Sequence, residues 1–168
     1  MNRANLFILS LLVVLMLLQV FLFNHLHLFG SINPMIYLYF FIYYRLDANQ
    51  TQFILLSFVL GFSLDLLSQG AGGHTISAIT ISFLRPRIIA LNFSSVLQET
   101  SNLNQMLSLR RFTFSLWIVF IHHFIYFIVL FSNFSMLFII LRQTFLTGIF
   151  TLTALFLGKL FFKKKNDT

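Results

Sequence analysis

Along this chain the polar residues act as punctuation between long apolar runs. Leu6 to Phe23 are 18 consecutive positions interrupted only by Ser10 and Gln19, long enough for a helix that crosses a hydrocarbon core. That length, and its continuation into Asn24-His25-Leu26-His27 rather than a small-residue cleavage site, favours a first span over a cleaved signal segment. A second run places Asn33 as N-cap and Pro34 at the first helical position. From Ile32 to Tyr44 it would reach only ~20 Å as a helix, against a core of ~30 Å. It crosses only if extended back to Leu26 or forward to Leu46, with Arg45 snorkelling to the surface. Tyr37, Tyr39, Tyr43 and Tyr44 then suit an interfacial belt.

Four further runs complete the pattern. The expectation is an all-α membrane protein, a single bundle of six transmembrane helices at about 6–23, 32–46, 51–68, 73–92, 111–131 and 135–157. A loop at about 93–110 and a basic tail at 159–168 finish one membrane domain, 1–168. In the fourth run Arg85-Pro86-Arg87 reads as a boundary where proline kinks or ends the helix. The 93–110 stretch reads as a solvated loop, although Leu103, Met106 and Leu107 recur at helical spacing and leave open an interfacial helix offered to a partner.

Composition agrees with the bilayer as solvent. The 168 residues are 58% hydrophobic and 9% charged, with a mean hydropathy of +0.90, whereas soluble domains carry ~25% charged residues. The net charge of +7 does not point to nucleic acid, because the basic residues sit at the ends of apolar runs and form no basic face. With the N-terminus inside, Arg3, Arg45, Arg85, Arg87, Arg110, Arg111, Lys159 and Lys163 to Lys165 all fall on cytoplasmic ends. The outer loops at about 24–31, 69–73 and 132–134 hold no Lys or Arg, so both termini are expected to be cytoplasmic. There is no cysteine, which removes disulfides, thiolate metal sites and thiol nucleophiles.

The chemistry gathers around Gly61-Phe-Ser-Leu-Asp65 and Gly72-Gly73-His74. Asp65 is the one acidic residue of four inside an apolar run, and an ionised carboxylate there is costly unless paired or wetted. Counted from Thr51, Asp65 lies ~9 Å below the outer boundary, and Arg142, counted from Ser135, ~10 Å below it. Their equal depth suggests an ion pair; the alternative is that Arg142 snorkels while Asp65 faces a wet vestibule. The glycines after Asp65 read as a tight turn, and Gly61 as a point of close helix approach. His122 and His123 lie in the outer half of the fifth run. Pointing about 100° apart, they suit hydrogen bonds to neighbouring helices better than joint ligation of one metal. No cofactor or metal is expected. No nucleophile elbow, HExxH or paired carboxylate occurs, and a Ser63 or Ser77 dyad with His122 has no supporting context.

Gly61-x-x-x-Asp65-Leu66, a short glycine-containing turn and Gly73-His74 opening the next run resemble the rod shape-determining membrane protein family MreD. The six-span layout, Arg85-Pro86 and the His122-His123 pair look like its Bacteroidetes-type versions. The resemblance implies a fold similar to the substrate-binding S components of energy-coupling-factor transporters. It implies a non-enzymatic scaffold in the bacterial inner membrane, part of the cell-elongation complex that controls peptidoglycan synthesis and cell shape. Implied partners are an MreC-like bitopic protein, an MreB-like filament and peptidoglycan synthases, with anionic lipid at the basic ends. Gly61, Asp65, Gly73, His74, His122, His123 and Arg142 are its structural or interaction candidates. The rival function is a vitamin- or small-molecule-binding transporter subunit, whose pocket Asp65, His74 and Arg142 could line.

Overall fold

The computed structural model describes residues 3–46, 49–93 and 108–162. Their architecture is all-helical: α1 Arg3–Phe21, α2 Leu38–Tyr43, α3 Gln50–Leu67, α4 Gly73–Phe93, α5 Ser108–Phe131 and α6 Leu137–Phe162, with single 3-10 turns at Phe23–His25 and Phe134–Met136. All but α2 are long and apolar enough to cross a membrane, as a multi-pass membrane protein requires. The 94–107 stretch and the tail from 163, with the loop and lipid-anchor expectations placed on them, lie outside the described residues.

Helices α3, α4, α5 and α6 pack in chain order. Neighbours run antiparallel: the start of α4 at Gly73 meets Tyr126 near the end of α5, whereas Phe93 at the end of α4 meets Phe114 near the start of α5. Phe112 likewise stacks on Phe156 of α6. Helix α1 lies against α3 with both C-terminal ends together, tied by Asn24 Nδ2 donating to Ser68 Oγ at 2.7 Å. Two consecutive long helices that run the same way need a connection that returns the chain through the bundle. The segment between them does this.

That segment differs from the second span expected from the sequence. Only Leu38–Tyr43 is α-helix, ~9 Å of a ~30 Å core. Asn33 does not cap it; its Oδ1 instead accepts from His27 N at 2.9 Å, steadying a loop in which Leu28 and Ile32 exchange both backbone hydrogen bonds. Nor is Tyr37 part of an interfacial belt, since it is fully buried along with Leu38, Phe40 and Phe41. Phe40, Tyr44 and Phe53 form a stacked aromatic knot with ring centroids 5.0–5.3 Å apart. Offset and tilted rings at such separations add to the packing that holds helices together in lipid.

Broken helix inside a membrane protein leaves backbone groups that no water can reach, so other helices must supply partners. Three polar side chains from distant helices meet this need. Gln19 of α1 accepts from Ile36 N at 2.8 Å and donates to Pro34 O at 3.2 Å. Thr151 of α6 accepts from Met35 N at 3.0 Å. Arg85 of α4 closes the C-terminal end of α2, donating to Phe41 O, Tyr44 O and Arg45 O at 2.9, 2.6 and 3.2 Å, with its guanidinium 4.7 Å from the Phe53 ring centroid. Carbonyls at a helix C-terminus and the face of an aromatic ring are both negative, so among the described residues this buried cation is held by carbonyls and a ring face.

Arg85 therefore departs from the boundary role expected of it: it is buried, and α4 continues through Pro86 to Phe93. Proline at 86 removes the N–H that would bond Ser82 O. Gln50 Nε2, at the start of α3, donates to that same carbonyl at 2.7 Å. The defect is repaired from the neighbouring helix. Gln50→Ala is expected to cost about 1–2 kcal/mol by orphaning a buried carbonyl, and less in a Pro86→Ala background, where the helix regains its own donor. Thermal unfolding of the four variants in detergent checks this; equal costs in both backgrounds would refute the repair.

Candidate functional site at the Asp65 corner

The corner between α3 and α4 is built from its backbone outward. α3 stops at Leu67, and Gly70 N donates to Asp65 O at 2.8 Å, a bond that wraps the helix end. Gln69 at φ 52° and Gly72 at φ 83° turn the chain through left-handed conformations, and Gly72 sits where glycine costs least. α4 then begins with the position before it, Gly72, lacking any side chain to cap it.

Asp65 supplies the cap from the preceding helix. Its Oδ1 accepts from His74 N at 3.1 Å, and its Oδ2 accepts from Thr75 N at 2.7 Å and from Thr75 Oγ1. Two of the unpaired N–H groups of α4 and the positive end of its dipole thus meet a carboxylate. Charge-assisted bonds of this kind are the strong ones, and they explain how an acid is tolerated at this depth. Close packing makes the geometry possible. A methyl group at Gly61 would fall 2.8 Å from both His74 O and Thr75 Cα, one at Gly70 would overlap Asp65 Oδ1, and one at Gly73 would press on the Tyr126 ring at 3.0 Å.

Arg142 is not the partner of Asp65. It lies on the exposed face of α6, and among the described residues no ion pair joins the two. Helices α3 and α6 are not packing neighbours, because α4 and α5 come between them in the chain-order packing, and Arg142 faces outward. A backbone terminus answers the carboxylate instead.

One turn inside the corner, four side chains from α4, α5 and the broken segment converge. Tyr37 Oη lies 2.8 Å from His74 Nδ1 and 2.9 Å from His122 Nε2, and Ser77 Oγ lies 2.9 Å from the same His122 nitrogen. Ser77 also donates to Gly73 O at 2.6 Å. One proton arrangement satisfies this set: Tyr37 donates to His74, Ser77 donates to Gly73 O, and His122 Nε2–H is shared between the Tyr37 and Ser77 oxygens. His122 Nδ1 is then a buried acceptor with no partner among the described residues.

His123 faces another seam. Its Nδ1 donates to Val119 O at 2.8 Å, and its Nε2 accepts from Thr151 Oγ1 at 3.1 Å, the same hydroxyl that takes Met35 N. The adjacent histidines therefore divide their labour. His122 joins α5 to α4 and the broken segment, and His123 joins α5 to α6.

Chemically the cluster is a rigid hydrogen-bonded seam. No group of three His, Cys, Asp or Glu suited to a metal occurs among the described residues. Ser77 and His122 stand at the separation of a nucleophile and its base, but both side chains are fully buried and the Ser77 hydroxyl is committed to a backbone carbonyl. Thus Gly61, Asp65, Gly73, His74 and His122 are brought into one assembly, His123 into an adjoining one, and Arg142 into neither.

Sequence reasoning missed Tyr37, Thr75, Gln19, Thr151 and Gln50. Tyr37 was hidden among three other tyrosines at a plausible interface; its signal was its place in a run too short to cross. Comparison with protein-family models, curated proteins and solved structures finds no match to this chain.

Two outcomes test the geometry. Asp65→Ala should destabilise the detergent-solubilised protein by about 2–3 kcal/mol, with Asp65→Asn milder because one amide oxygen still accepts. Tyr37→Phe deletes the oxygen shared by His74 and His122 and should cost about 1–3 kcal/mol. Calorimetry or thermofluor melts read both, and an unchanged melting temperature for Tyr37→Phe would refute the shared-oxygen seam.

Proposed function

We propose that this chain is a non-enzymatic, MreD-like scaffold subunit of a bacterial cell-elongation complex, held in the inner membrane with both termini cytoplasmic. In this role it binds an MreC-like bitopic protein and helps control peptidoglycan synthesis beside an MreB-like filament and the wall synthases. The supporting observation is the behaviour of the residues that carry the resemblance. Gly61, Asp65, Gly73 and His74 do not line an open cleft; they contact one another as a closed helix–turn–helix joint. Residues committed to backbone capping and close helix approach suit a rigid platform better than a reactive centre. The all-helical bundle with five long apolar helices is the framework such a scaffold needs. The short α2, buried among them, departs from a plain six-span layout without opening the interior.

The test is depletion in a rod-shaped host together with affinity purification of the tagged chain from its membranes. Depletion should round the cells, and a single-span protein of MreC type should copurify. Absence of both outcomes would sink the reading. A small organic molecule retained at one equivalent through purification would instead favour the transporter-subunit function.

A further inference from the structure

Helix α6 packs mainly on α5, and its far side is open. Phe138, Arg142, Phe145 and Ile149 follow one another at four-, three- and four-residue steps, so they form a single stripe, and all four are exposed. The stripe is apolar apart from Arg142, which stands ~7 Å inside the first residue of α6. An uncompensated guanidinium on a lipid-facing stripe is costly, and intramembrane arginines ordinarily meet an acidic or carbonyl partner. An apolar groove of about 430 Å³, lined by Ile149 together with Phe112 and Phe156, adjoins the stripe on the α5 side.

We infer that the outer stripe of α6 is a docking face for the transmembrane helix of a different protein that carries an aspartate or glutamate at the depth of Arg142. The sequence itself argues against a second copy as the occupant. The chain has only four acids, Asp47, Asp65, Glu99 and Asp167. Asp65 is engaged at the α4 terminus, and in the sequence the other three lie in polar stretches between or after the apolar runs. On this pattern a second copy brings no further acid within an apolar run to meet Arg142. A foreign helix with an apolar face and one acid complements the stripe in both charge and shape, and an ion pair within lipid sets register as well as affinity.

The inference rests on the scaffold reading to the extent that it needs a membrane partner. A photoreactive benzoylphenylalanine is placed at Phe138 or Phe145 in the full-length chain, with Phe62 of α3 as the comparison site, and irradiated in native membranes. The expected result is one protein adduct from α6, to a chain with an Asp or Glu inside its span. Arg142→Leu and Arg142→Asp should lower its yield about fivefold or more, and a carboxylate-to-arginine change in the captured span should restore it with Arg142→Asp. Because Arg142 is exposed, the variants should keep the parent melting temperature, which is measured alongside. Adducts only to lipid or to a second copy, or a yield indifferent to Arg142, overturn the inference. A partner adduct from Phe62 in place of α6 leaves the scaffold reading standing and removes this face from it. No adduct anywhere, with no copurifying partner, removes both.

Discussion

Backbone groups that cannot reach water govern this structure. A continuous helix settles its own account inside a membrane, as the long helices do apart from α4 at its N-terminus and at Pro86. The second apolar run does not, and much of the remaining polar chemistry follows from that failure. Gln19, Arg85 and Thr151 come from three different helices, yet each ends on the backbone between Pro34 and Arg45. Their identities make sense once the carbonyls and N–H groups they serve are known. A glutamine can both donate and accept, an arginine has enough donors to cover a helix end, and a threonine hydroxyl can link a backbone N–H to a histidine.

The same economy operates at two points along α4. At its N-terminus, Asp65 reaches back from α3 to cap a helix that starts at glycine. Within it, Gln50 from the opposite end of α3 bonds the carbonyl that Pro86 abandons. α3 thus services α4 twice, once at the corner and once at the proline, which fixes the register of the two helices more firmly than apolar packing alone. Gly61 at the point of closest approach lets the pair sit near enough for both bonds to form.

The long helices were legible from hydrophobic run length, because in a bilayer length and apolarity are nearly sufficient to specify a span. The corner was legible as well, since an acid, two glycines and a histidine in one short stretch have few explanations. The angular position of a side chain was not legible. Helices without an amphipathic stripe, α1 and α6 above all, give no indication of which residues face inward. Asp65 and Arg142 looked like partners by depth and are separated by helix order and by the outward face of Arg142, and Arg85 looked peripheral by position and is central by contact. The broken segment was flagged by its shortness, but its partners are remote in sequence and could not be inferred from it.

The dependence of α2 on later parts of the chain has a consequence for biogenesis. A span that inserts alone needs nothing but its own hydrophobicity. The 32–46 segment is completed by His74, Arg85, His122 and Thr151, all of which are synthesised after it. It cannot reach its final conformation when it leaves the ribosome. It must wait, near the interface or loosely inserted, until α4, α5 and α6 have arrived and the polar groups on them can receive it. Met35 N finds its partner, Thr151, only once α6 is in place.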